Sequence, residues 1–229
     1  SPYGRECRGL WTVDDVSKYR LVGVDASGLE LRCLAHYMND PEYTNIVLTG
    51  DVHTANQERA GLKTRDQAKT FIYAFLYGAG AAKIGKVVGG TAKHGQQLIT
   101  RFLNNMPALK HLRMLVSKEA AGDTIKALDG RLLHIRSEHA ALNTLLQGAG
   151  AIVCKQWLVH IMERVIKAKL DVRLVASIHD EYQFEVAIPD IERFCRLTKE
   201  AMTQTTKTLK MKCELDCDYK VGKTWAETH

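Results

Sequence analysis

Proline is scarce in this sequence, four residues in 229, and no low-complexity tract interrupts it. What is left is the composition of a globular protein, 45% hydrophobic and 25% charged, long enough for one large domain or two intertwined subdomains. No stretch reaches the run of about 18 to 20 apolar residues that a membrane span needs. The best candidate, Ala140 to Met162, is broken by Asn143, Gln147, Lys155 and Gln156 and reads as a buried helix. The first dozen residues, SPYGRECRGLWT, lack the apolar core of a signal peptide. No membrane partner is therefore expected, and the expected location is the cytoplasm. The six cysteines contain no C-x-x-C pair. Cys213 and Cys217 share a spacing that a metal could use, but no second pair or nearby histidine completes a site, so buried reduced thiols are expected.

What is present begins with a formal charge of +6, a mild pointer to an anionic partner. RLVGVDA (20–26) reads as a short buried strand ending at Asp25, and Leu31, Leu34, Ala35 and Met38 recur at helical spacing behind it. Asp51 is placed to cap a helix through Ala60, closed by Gly61. The best-marked helix follows: Thr64 and Gln67 form a capping box, Ala68, Phe71, Ile72, Phe75 and Leu76 make an apolar stripe, and Gly78 ends it. Short helices with glycine breaks at Gly85, Gly89, Gly90 and Gly95 fill residues 81–121. Asp129–Gly130 marks a hairpin turn, and a long helix runs from about His139 to Lys169. VRLVASI (172–178) and YQFEVAI (182–188) are alternating strands around His179–Asp180–Glu181; Pro189 opens a helix to about Leu209, and a last strand leads to Trp225. Strands early and late with helices between predict an α+β fold, a sheet subdomain with a helical subdomain inserted at about residues 51–121.

Two constellations carry chemistry. Asp25 ends an apolar strand and Asp180 tips a hairpin with Glu181 beside it. If those strands are neighbours, carboxylates crowd one edge, and either raise each other's pKa or bind a hard cation such as magnesium. The plain alternative is that Asp25 caps a helix while Asp180 and Glu181 make a turn. In the second constellation Arg65, Lys69, Tyr73 and Tyr77 recur every four residues. Each such step turns a helix only about 40° and climbs about 6 Å, so the four form one slowly winding stripe. Cations in the first turns oppose the helix dipole, which calls for an anion; a triphosphate with a base near Tyr73 fits. A solvated face with packed tyrosines is the alternative.

DASGLELR (25–32), the R-x3-K-x3-Y-x3-YG pattern (65–78) and HDE (179–181) resemble motifs A, B and C of the family A, Pol I-type DNA polymerases, in order and at fitting separations. DASGLELRCLAH, RDQAKTFIYAFLYGAG and ALNTLLQGAGA are especially similar to its T-seven-type podophage branch, and the likeness runs from SPYG to GKTWAETH. The resemblance implies an antiparallel palm sheet backed by helices with an inserted fingers subdomain: palm 1–50, fingers 51–121, palm 122–229. It implies that Asp25 and Asp180, with the Ala26 carbonyl, hold two Mg2+ ions, with Glu181 as a supporting catalytic carboxylate. It implies that His53, Arg65 and Lys69 hold the triphosphate of a dNTP, that Lys69 also protonates the leaving group, and that Tyr73 tolerates dideoxynucleotides. Glu30 stands where the family excludes a ribose 2′-hydroxyl. Tyr77 and Gly78 are expected by the templating base, and Asn143 and Gln147 in the primer–template minor groove. His179 reads as structural, Trp157 and Trp225 as core anchors, and His229 either as the terminal histidine of the podophage enzymes or as a frayed end.

The thumb, the exonuclease and the arginine-bearing motif before motif A are not matched, and the 117–126 loop is shorter than in the podophage enzymes. The expectation is therefore the C-terminal piece of a split polymerase, or a fragment of a longer one, whose partners are primer–template DNA, dNTP and a thumb-bearing upstream piece, in a host cytoplasm if phage-encoded. Two rivals remain. A single-subunit RNA polymerase shares the motifs, but Glu30 argues against it; a non-catalytic DNA-binding subunit has no reason to keep Asp25, Asp180, Arg65, Lys69 and Tyr73.

Overall fold

The computed structural model describes residues 3–229; Ser1 and Pro2, which begin the SPYG segment, and the side chain of Glu138 lie outside the described residues. In chain order the elements are α1 (Gly4–Gly9), β1 (Tyr19–Ala26), α2 (Leu29–Met38), α3 (Pro41–Thr49), α4 (Val52–Ala60), α5 (Arg65–Leu76), α6 (Ala81–Val87), α7 (Ala92–Asn104) and α8 (Pro107–Ala120). They continue with β2 (Thr124–Lys126), β3 (Leu132–His134), α9 (Ala141–Ala168), β4 (Val172–Ile178), β5 (Glu181–Ala187), α10 (Ile191–Thr208), β6 (Cys217–Gly222) and α11 (Trp225–Thr228). The fold is α+β, as expected, and it divides into two compact units, residues 1–29 with 150–229, and residues 30–149.

The first unit is built on an antiparallel sheet of order β4-β5-β1-β6. Sequence alternation in β5 sends Tyr182, Phe184 and Val186 to one face, where Tyr182 meets Trp157 of α9 and Phe184 meets Phe194 of α10 at ring-centroid distances of 5.7 and 4.9 Å. Trp157 is a core anchor, fully buried, its indole N–H donating to the Thr198 carbonyl at 2.9 Å. The polar face of β5 is not solvated: Glu181, Gln183 and Glu185 are buried too. Each therefore needs a partner. Glu185 finds Arg173 at 3.0 Å and the Asp14 amide at 2.9 Å, while Gln183 accepts from the Thr228 hydroxyl at 2.7 Å. Glu181 is the first residue of β5, not part of the turn, which tightens the hairpin tip to His179 and Asp180.

The second unit is helical apart from the β2–β3 hairpin around Asp129–Gly130. The α5 stripe Ala68, Phe71, Ile72, Phe75 and Leu76 is buried, with Phe71 and Phe75 edge-on to Phe102 of α7 at 5.0 and 5.7 Å. Thr64 caps α5 by accepting the Gln67 amide at 3.2 Å, but the Gln67 side chain returns to the Lys63 amide, so the expected capping box closes on one side only. Gly78 ends the helix at φ +77°, a conformation glycine adopts freely. Gly85 and Gly95 are not helix breaks. They lie inside α6 and α7, where a Cβ would collide with the Thr91 and Ala81 carbonyls, so they permit close backbone approach. The break between the two helices is at Gly89 and Gly90.

Candidate active site

Asp25 lies near the end of β1, where the register sets it opposite Glu181 on β5 and Asp218 on β6. Asp180 joins them at the hairpin tip, its carbonyl accepting the Ala26 amide at 3.1 Å. The two acids that the sequence placed on separate strands thus share one sheet edge. Partial desolvation, then the charges of Asp180, Glu181 and Asp218, push the Asp25 pKa up to about 6, opposed by His229. None of the ion pairs among the described residues involves Asp25, Asp180 or Asp218. A cavity of about 330 Å³ opens on this edge, lined by Gly23, Asp25, Glu181, Asp218, Lys220 and His229 among others.

Glu181 differs from its neighbours because both its oxygens are engaged. Oε1 accepts from Trp225 Nε1 at 2.7 Å and from Gln183 Nε2 at 2.6 Å, and Oε2 lies 2.6 Å from His229 Nδ1. His229 is not frayed, since Lys220 Nζ also donates to its main-chain oxygen at 2.9 Å. Trp225 is only half-buried, so its place is beside this carboxylate and not in the core. His179 is exposed, with φ +56°, and forms the turn without packing. No three His, Cys, Asp or Glu side chains among the described residues form a metal cage by themselves. Magnesium does not require one: it keeps several waters and binds through one or two carboxylates plus substrate phosphates. Asp25 and Asp180, two carboxylates outside any ion pair among the described residues, fit that donor set.

In the second unit Arg65, Lys69, Tyr73 and Tyr77 line α5 and its C-terminal cap as the four-residue spacing predicts, Tyr73 and Tyr77 stacking at 6.5 Å. The anion that the charge argument called for comes partly from within: Arg65 Nε pairs with Asp51 Oδ2 at 2.6 Å, and the pair holds the Asp51 carboxyl well below its ordinary range. Lys69 has no ion pair among the described residues. His53 sits with them, its ring 6.0 Å from Tyr73 and its Nδ1 buried without a hydrogen bond. Burial first, then Arg65 and Lys69, lower its pKa. The surroundings of His53 thus disfavour one more positive charge, as a site for an anion would.

Tyr77 also donates its hydroxyl to Glu30 Oε1 at 3.0 Å and is hydrogen-bonded to the Gln147 side chain. Glu30, Tyr77 and Gln147, read separately in the sequence, form one cluster. Asn143 lies one turn earlier on α9 with its Oδ1 buried and unbonded. Gly78 abuts the His139 carbonyl, which a Cβ there would meet at 3.3 Å. Asp218, Gln183 and the role of Trp225 emerge only from the structure. Asp218 carried no local signal, because only the β1–β6 register brings it opposite Asp25.

The profile of DNA polymerase family A matches residues 1–227. The DNA-directed DNA polymerases of Enterobacteria phage T3 and Escherichia phage T7 are each 42% identical over the whole chain, which spans 37% of their length. DNA polymerase I of Geobacillus stearothermophilus is 27% identical over 97% of the chain, which spans 27% of that protein. Among solved structures, the POL domain of Pol1 from M. smegmatis, in complex with DNA primer-template and dNTP, superimposes with a TM-score of 0.88 at 21% identity, over 99% of this chain and 43% of that one.

Proposed function

The chain belongs to DNA polymerase family A, and from that premise we propose that it performs template-directed transfer of a deoxynucleotide from dNTP to a primer 3′-hydroxyl. The observation that carries this is the meeting of Asp25 and Asp180 at one sheet edge, neither in an ion pair among the described residues. Asp25, Asp180 and the Ala26 carbonyl would hold two magnesium ions. When bound, these supply a lowered pKa for the attacking hydroxyl and charge neutralisation at the leaving pyrophosphate. Residues 1–50 and 122–229 are assigned as palm, and 51–121 as fingers.

Arg65, Lys69 and His53 are assigned to the triphosphate. Lys69, exposed and without an ion pair among the described residues, is the group that donates a proton to the departing phosphate. Asp51 holds Arg65 in place until phosphate competes for it. Tyr73 takes the sugar and base, and Glu30 excludes a 2′-hydroxyl because a carboxylate tied to Tyr77 cannot move aside without losing that bond. Tyr77, Gly78, Asn143 and Gln147 are assigned to primer–template DNA.

Magnesium-dependent primer extension, with Asp180→Asn as control, tests the reading. Incorporation should fall by about 10³-fold, the scale of a lost transition-state charge contact, while gel-shift affinity for primer–template stays near wild type. Equal incorporation by the two proteins would discard the assignment.

A further inference from the structure

We propose that Trp225 is a positioning residue of the catalytic centre, its indole N–H fixing the Glu181 carboxylate in place beside Asp25. The inference rests on the metal reading above and extends it to a residue outside the three motifs. Glu181 stands opposite Asp25 in the β1–β5 register and is buried. A buried carboxylate in that place can turn toward a cation or be held by protein donors. Here protein groups hold both of its oxygens. Trp225 and Gln183 both donate to Oε1, and His229 faces Oε2, so neither oxygen is turned toward a cation.

The hold is itself braced. Gln183 is oriented by the Thr228 hydroxyl from α11, the same short helix that carries Trp225. The indole is edge-on to His229 at 6.1 Å, with the Arg8 guanidinium 5.9 Å from its ring centre. If Trp225 served packing alone, its N–H could point to any acceptor at this half-exposed position; it points to the carboxylate opposite Asp25. A charge fixed there strengthens cation binding at Asp25 and Asp180 without occupying a coordination position, and leaves that position to substrate phosphate or water.

The experiment measures Mn2+ binding to the chain by electron paramagnetic resonance of the free ion, with thermal melting in parallel. The proteins are the wild type, Trp225→Phe, Glu181→Gln, their double variant and Asp180→Asn. Phenylalanine keeps the ring and removes the donor. Trp225→Phe is expected to weaken Mn2+ binding about tenfold, the low end for groups that orient a metal site. On the Glu181→Gln background it should cost nothing further, since the charge it positions is gone. Wild-type affinity in Trp225→Phe, with binding lost in Asp180→Asn, overturns the positioning role and leaves the metal reading standing; so do fully additive losses in the double variant. Mn2+ binding that is the same in wild type and Asp180→Asn removes the metal reading and this proposal with it. Should Trp225→Phe fail to fold, Glu181→Gln removes the positioned carboxylate charge itself, with at least the same tenfold loss expected and wild-type affinity overturning the proposal.

Discussion

Partial desolvation and the carboxylates around it push the Asp25 pKa up to about 6 from an ordinary value of 3.8. Between those values the folded chain binds more protons than the unfolded one. The stability this carboxyl contributes is therefore lost as pH rises through that window, leaving a constant penalty above it. Asp25→Asn should raise the metal-free melting temperature at pH 7 by roughly 2 °C and leave it unchanged at pH 3, where both forms are neutral; melting at the two pH values checks this. Glu30 offers a second residue-scale test. Replacing it by alanine removes the acceptor of the Tyr77 hydroxyl and should narrow discrimination between dNTP and rNTP by about tenfold or more, read as the ratio of their kcat/KM values. Both acids were legible in the sequence, Asp25 from its place at the end of an apolar strand and Glu30 from its place in a motif. Trp225 was not, because the acceptor of its N–H lies 44 positions away.

Among the elements, α5 was legible almost entirely: its cap residue, its buried stripe, its cationic stripe and its glycine stop are all set by neighbours within one or two helical turns. Gly85 and Gly95 misled for the complementary reason. Within their own helices they look like weak points, yet what they serve is the backbone approach of one helix to the next. Gly95→Ala should therefore destabilise the chain by about 1–3 kcal/mol, since the added methyl meets the Ala81 carbonyl and backbone cannot swing aside as a side chain can. Urea denaturation measures it, and an unchanged midpoint would refute the close-approach reading. The sheet shows a similar split. The alternation of β5 was visible, but its burial on both faces depends on α11 and Arg173, which supply partners for the polar side.

For the whole molecule, the net charge of +6 and the family membership together predict salt-sensitive binding of primer–template DNA. Each phosphate neutralised should contribute about −0.9 to the slope of log affinity against log salt, measured by fluorescence anisotropy; a flat response would mean that the basic balance plays no part. No helix among the described residues is long and apolar enough to cross a membrane, in keeping with the broken pattern seen between Ala140 and Met162.

The sequence by itself determined β1, β4, β5, α4, α5 and α10, the Asp51 and Thr64 caps, the cationic stripe of α5 and the acids at the ends of β1 and the β4–β5 hairpin, because periodicity and capping act over a few residues. Only the tertiary structure decided that Asp25 would face both Glu181 and Asp218, and that Trp225 would hold the first of these. Strand register between distant segments is fixed by which faces the packed core covers and which buried polar groups find donors, and no local stretch of sequence contains that information.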